Sequence, residues 1–319
     1  MRRILRVRPT PPGPANAEPY YRMVANILMR SAVALVMAAI LAGSLPVRAR
    51  QQAPPSRLLL AAVNDAQGRP IVDLDPDELV VSEDGQRCEV VASYDADYPV
   101  VVLIDNSAEA QGDLESIRSA VSRFLSRVGD RFVAIGTLTN PPTMLTSFDD
   151  ERPAVLARLE KLTASPTSVL MPIEAVALAA GKVRENGSPF SAIVVVSAHA
   201  IDATQPQNTR LLSEIFDSGA MVHVISRTSP AAAPGRTAAG PSADVLRDLA
   251  DQTRGNFTTV FSAPSYSVAL NNLADRLGTE TMVEYFAPPG STAPGEVQIG
   301  VRIPGAHVRG LRVSRWALQ

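Results

Sequence analysis

The run Val100–Ile104 constrains this chain most. Five consecutive apolar residues, four of them β-branched, predict a strand covered on both faces, because a strand with one wet face alternates polar and apolar side chains. The strand stops at Asp105-Asn106-Ser107-Ala108-Glu109, an oxygen-rich loop. An amphipathic helix follows, since Leu114, Ile117, Val121, Phe124, Leu125 and Val128 fall on one helical stripe.

The same alternation continues to about residue 279. Segments 131–138, 144–148, 192–196, 221–225 and 257–261 read as strands. A helix beginning at Asp149 presents Val155, Leu156, Leu159 and Leu162. Another, capped by Thr167 and Ser168, presents Ile173, Ala177, Ala180 and Val183, with Pro172 in its first turn. Further helices carry Leu211, Leu212, Ile215 and Phe216, then Val245, Leu246 and Leu249 closed by Gly255, then 266–277. Strands that alternate with helices need crossover connections and pair in parallel. The expectation for 98–279 is therefore an α/β fold, a doubly wound, mostly parallel sheet flanked by helices. In such sheets ligands meet the carboxyl ends of the strands, which places Asp105, Ser107, Ser197 and His199 at one edge.

Both flanks read as β structure. Residues 58–63 form an apolar strand, 79–83 lead to the hairpin pair Asp84-Gly85, and 88–94 return. This 57–97 unit is too short to bury a core of its own. After residue 280, segments 282–286, 297–303 and 311–316 again read as strands between Pro- and Gly-containing turns. The two flanks are expected to pack together as a small β-sandwich, with the α/β unit inserted between them. Residues 228–241 have loop composition, and 50–56 read as a linker.

Net charge −2 and 5% aromatics argue against nucleic acid, which calls for a basic face and stacking platforms. The one cysteine, Cys88, reads as a small buried strand residue, and no Cys/His cluster suggests zinc. Residues 1–49 have the character of a targeting segment. A Pro- and Arg-rich stretch at 1–22, untranslated if Met23 or Met29 is the start, precedes Arg30 and an apolar run at 31–45. Val47-Arg48-Ala49 follows and resembles a signal cleavage site. The expected location is extracytoplasmic, periplasmic or secreted, after a cut near Ala49. An uncleaved N-terminal membrane anchor is the alternative, and it would be the only membrane contact.

The order of four blocks resembles secreted proteins related to the von Willebrand factor A (VWA) type, common in acidobacteria and their relatives. These are 68–85 (Gly-Arg-Pro-Ile-Val-Asp-Leu-Asp-Pro-Asp-Glu-Leu-Val-Val-Ser-Glu-Asp-Gly), the strand–Asp-x-Ser–helix of 100–128, and 246–255 with 277–289. The resemblance covers about 57–316. It implies a protein-binding or adhesion module and a metal site of the Asp-x-Ser-x-Ser type, with a threonine from a second loop and an aspartate after the fourth strand. Onto this chain it carries Asp105 and Ser107 directly, Glu109 in the place of the second serine, and Thr167, or alternatively Ser168, from the second loop. Ala198 stands in the acidic position, so the site is degenerate. Oxygen ligands of this kind suit Mg²⁺ or Mn²⁺. The opposing reading has Asp105 and Ser107 as turn formers only. Asp202 lies near enough in sequence to replace the missing acid, and His199 at the same edge is a further candidate ligand. His223 reads as a core or sheet-face residue and His307 as a turn residue.

Three function classes follow. The first is an exported, non-catalytic binding module that meets a protein partner at the Asp105 edge. The second is a structural envelope protein with a metal-free VWA domain. The third is an Asp-dependent phosphotransferase or hydrolase, disfavoured because Ser107 stands where a second aspartate is needed and no paired late acids appear; no Ser/His/acid set is suggested either, since no Gly-x-Ser-x-Gly elbow occurs.

Overall fold

The computed structural model describes residues 55–200, 209–228 and 241–318. The targeting segment, most of the linker, most of the 228–241 loop and Asp202 lie outside the described residues. Pro54 to the end of the chain forms one compact unit.

In chain order the strands before the first helix are β1 (Ser56–Asn64), β2 (Pro70–Ile71), β3 (Leu79–Glu83), β4 (Gln86–Cys88), β5 (Val90–Asp95) and β6 (Val100–Ile104). Then come α1 (Leu114–Arg127), β7 (Val133–Thr137), α2 (Arg152–Glu160), α3 (Pro172–Asn186), β8 (Ala192–Ser197), α4 (Thr209–Ser218), β9 (Met221–Arg227) and α5 (Pro241–Gln252). The chain finishes with β10 (Phe257–Val260), α6 (Ser265–Leu277), β11 (Thr281–Phe286), β12 (Val297–Val301) and β13 (His307–Leu318).

Five strands make a parallel sheet in the order β10-β9-β8-β6-β7. Its apolar runs are buried on both faces, as the uninterrupted hydrophobicity of β6 and β8 requires. On one face Val100, Val102 and Ile104 pack with Ile117, Val121 and Phe124 of α1, Leu159 of α2 and Leu270 of α6. On the other Val101 and Leu103 pack with Ala179 and Val183 of α3, Ile215 of α4 and Leu249 of α5. Each such side chain, taken from water, contributes about 1.5–3 kcal/mol before the cost of ordering the chain.

The flanking strands form two antiparallel sheets. One runs β13-β1-β11-β5 with β2 on β1, so strands from both ends of the chain share a ladder. The other is β12-β3-β4. Leu58 and Leu60 of β1 join the core under α1 and α6. Leu59, Ala61 and Val63 point the other way, into a second core with Leu79, Val81, Cys88 and Tyr285. Within it the buried Arg57 guanidinium pairs with the buried Glu83 carboxylate, which also accepts from Tyr285 Oη (2.9 Å) and the Gly295 N–H (3.1 Å). Burial pushes the Glu83 carboxyl up, but these donors, Arg57 first, outweigh it and leave it below its ordinary value.

Several local expectations are corrected. The return strand expected at 88–94 breaks at Glu89: β4 pairs with β3, whereas β5 crosses to β11. The strand expected at 144–148 is a single antiparallel bridge between Met144 and Gly136, and Pro141 and Pro142 just before it remove two ladder donors. The helix expected from Asp149 begins at Arg152, because Ser147, Asp149 and Asp150 bond to one another in a turn. Thr167 and Ser168 do not cap α3, whose N-cap is Met171. His307 opens β13.

Candidate functional site

The parallel strand order reverses between β6 and β8. The loops leaving these two strands diverge there, and in open α/β sheets that switch point is where ligands bind. Asp105 follows β6, and Ala198 and His199 follow β8.

Asp105 is buried. Its Oδ1 accepts the Ser107 N–H at 3.0 Å, and its Oδ2 accepts the Ala198 N–H at 3.0 Å. The Ser197 hydroxyl lies 3.1 Å from Asp105 Oδ2 and 2.8 Å from the His199 carbonyl, and its single proton serves one of them. Ser107, also buried, accepts the Ala110 N–H on its Oγ at 3.3 Å. The second loop is fastened to the first, since the Ala108 N–H donates to the Thr167 carbonyl at 3.1 Å. The Thr167 hydroxyl itself accepts the Val169 N–H at 3.2 Å.

Over this loop sits His199. Its Nδ1 is 3.3 Å from Asp105 Oδ2 and its Nε2 is 3.6 Å from Glu109 Oε2. The imidazole thus bridges a buried and an exposed carboxylate, and its Nδ1 is buried without an aligned hydrogen bond.

Two supporting groups carried no sequence signal. Asn106 pins three segments: its Oδ1 accepts from the Thr139 hydroxyl (2.9 Å), its Nδ2 donates to Thr163 O (3.3 Å), and its carbonyl takes the Ser165 N–H (2.7 Å). Beside this loop Asp113 pairs with Arg227, and Tyr266 Oη donates to Ser197 O at 3.0 Å. Burial first, and the Asp113 charge second, raise the Tyr266 phenol, so it stays a donor. An arginine at the carboxyl end of β9 is the one part of this network that a search for charges at strand ends would have found.

The strand order, the helices on both faces and a first-strand Asp-x-Ser loop at the switch point settle the architecture. The α/β unit has the doubly wound, parallel topology that the resemblance to the VWA type implies. No family model matches the chain, and no curated protein matches it. Among solved structures, the chain is similar to a von Willebrand factor type A protein from Catenulispora acidiphila, at 12% identity and TM-score 0.49 over 85% of this chain and 75% of that one. It is also similar to BatB from Bacteroides thetaiotaomicron, at 16% identity and TM-score 0.44 over 56% of this chain and 98% of that one. A third similarity is to proximal thread matrix protein 1 of the mussel byssus, with a zinc-occupied metal site of the MIDAS type, at 12% identity and TM-score 0.47 over 60% and 48%.

The resemblance to the VWA type raises the matter of a metal. As arranged, the donors do not fit an octahedral, oxygen-only cation. Ala198 offers an N–H where an acid oxygen is needed, and the His199 ring stands between Asp105 and Glu109, so the two carboxylates do not face a common point. Among the described residues no group of three His, Cys, Asp or Glu side chains could hold a metal ion.

Proposed function

We propose that the chain is an exported, non-catalytic module that binds a protein partner at the strand-end edge around the buried Asp105 and Ser107, with exposed Glu109 and half-buried Thr167 as contact groups and without a resident metal. The observation that carries this reading is the His199 ring lying between Asp105 and Glu109. It puts an N–H-bearing ring beside the carboxylate that a cation would otherwise face, and it leaves Glu109 exposed as a contact group. The antiparallel sheets, read as a sandwich built from 57–97 and 280–319, would carry the 98–279 unit and present its edge. The hydroxyls of Ser107 and Ser197 engage backbone atoms and Asp105, and the histidine ring faces carboxylates. Neither hydroxyl is bonded to the His199 ring, the contact that activating a nucleophile calls for. Among the described residues no helix is long and apolar enough to cross a membrane.

Capture from an envelope extract tests the reading. The wild-type chain should retain its partner in the presence of a chelator, and Glu109→Lys should lose it. Capture that Glu109→Lys leaves intact would favour the purely structural role. Saturable one-site binding of Mg²⁺ or Mn²⁺ in calorimetry, abolished by Asp105→Asn, would restore the metal site and overturn the metal-free contact.

A further inference from the structure

Because β6 and β7 are parallel, the amino end of β7 lies at the sheet edge opposite the Asp105 loop. A groove of about 650 Å³ opens there between the end of α1 and the start of α2. Phe132 and Phe148 line it, and so do Asp130, Asp149, Asp150 and Glu151. A second hollow of about 540 Å³ shares Phe148, Asp149 and Asp150 with it. We propose that the groove docks a basic segment of a partner protein, with an arginine or lysine side chain lying along the phenyl rings and its charged head among the carboxylates.

The apolar part is fixed in place. Phe132 is 58% exposed, although Arg131 and Val133 on either side of it are buried. Its carbonyl accepts the Val100 N–H at 2.9 Å, so the backbone is held while the ring stands in water. Phe148 is half-buried in the same groove. A long basic side chain covers such rings with its aliphatic stem, and its cationic head is attracted to a ring face. The chain uses this pairing elsewhere: the Arg131 guanidinium lies 4.4 Å from the Tyr98 ring centre, and that of Arg247 lies 4.1 Å from the Phe257 ring centre.

The charges around the rings leave acid in excess. All four carboxylates are on exposed residues. Arg152 donates to Leu125 O, to Gly129 O at 2.9 Å and to Arg131 O at 2.7 Å, which ties the start of α2 to the end of α1. The Asp130 charge acts on this guanidinium and opposes the lowering effect of burial, so these two answer each other. Arg131 is buried, donates to Leu277 O at 2.9 Å and faces Glu280 in the interior. In the adjoining hollow Lys182 pairs with Glu185.

Asp149, Asp150 and Glu151 remain, and none of them is in an ion pair with a described residue. Asp150 accepts from the Ser147 N–H at 2.7 Å and from its hydroxyl at 3.3 Å, which orients the carboxylate without neutralising it. Glu151 is the N-cap of α2 but makes no side-chain capping bond. The start of α2 favours acids nearby, which accounts for part of their presence and leaves their charge in place. This excess selects the occupant. An apolar segment on the rings would strip water from unpaired carboxylates, and an acidic one would be repelled. A basic side chain satisfies both the rings and the acids.

Fluorescence anisotropy on the full chain, at about 0.15 M salt to screen diffuse attraction, tests the assignment. The probe is a labelled peptide of alternating arginine and glycine, with its glutamate counterpart as the control. Saturable binding of the arginine peptide alone is expected. It should weaken about tenfold in Asp149→Asn/Glu151→Gln and again in Phe132→Ser, which removes the exposed ring. No saturable binding by the wild type, equal binding of the glutamate peptide, or unchanged binding in both variants overturns the proposal. Self-association of the wild type that Phe132→Ser abolishes would make a second copy the occupant and overturn it too. If the acid variant melts early, Phe132→Ser, at an exposed position, carries the comparison alone.

Discussion

His223 shows what the interior does to an ionisable side chain. Both ring nitrogens are buried without a hydrogen-bond partner. Burial, reinforced by Arg276 and Arg312, lowers its value from 6.5 to about 3. The unfolded chain therefore takes up a proton near 6.5 that the folded chain refuses until about 3. This contribution to stability is complete above the unfolded value and is lost as pH falls through the window between them. His223→Val, matching its strand neighbours Val222 and Val224, removes both the orphaned nitrogens and the linkage. Urea midpoints at about pH 7.5 and about pH 5 should lie closer together in the variant than in the parent. Equal spacing would show that His223 is solvated.

At the scale of elements, the close approach of Gly255 to β9 decides whether α5 can lead into β10. Gly255→Ala places a Cβ inside the Val222 peptide. The expected result is a loss of about 3 kcal/mol or more, seen as an early thermal transition or as insoluble protein. An unperturbed melt would mean that the turn moves freely. The sequence shows Gly255 as a helix stop, and glycine often serves there. The reason for it is different, because the left-handed residue is Arg254 and the glycine is needed for space.

Other elements follow the same division. The apolar runs of β6 and β8, and the helical stripe of α1, were legible because burial on two faces or one stripe leaves a periodic trace. The division of 88–94 between two sheets was not, because nothing in the alternation marks where a strand changes partner. In the candidate site, Asp105 and Ser107 were legible from the strand–loop–helix context. The position of the His199 ring between Asp105 and Glu109 was not, since it depends on how loops from two different strands meet.

For the whole molecule, the governing fact is the place of β1. Its neighbours are β11 and β13, more than two hundred residues away in sequence. A chain cut once between β11 and β12 should therefore stay associated through the β13–β1 and β12–β3 ladders. Size-exclusion chromatography in native buffer should show one species, and denaturant should be needed to release the fragments. Separation without denaturant would mean that the α/β unit alone holds the fold.

The position of β1 also imposes a timetable. When the chain emerges from its N-terminus, β1 is among the first described segments to appear, but its neighbours on both sides are among the last. The α/β unit between them has its own sheet and can close while β1 waits. Loop-closure entropy makes such distant pairings slow. Assembly should therefore run from the middle outward, with the outer sheet acting as a clasp that shuts only once the final strand has arrived. Until then, the apolar strand β1 stays open to capture by chaperones or by other copies of the chain.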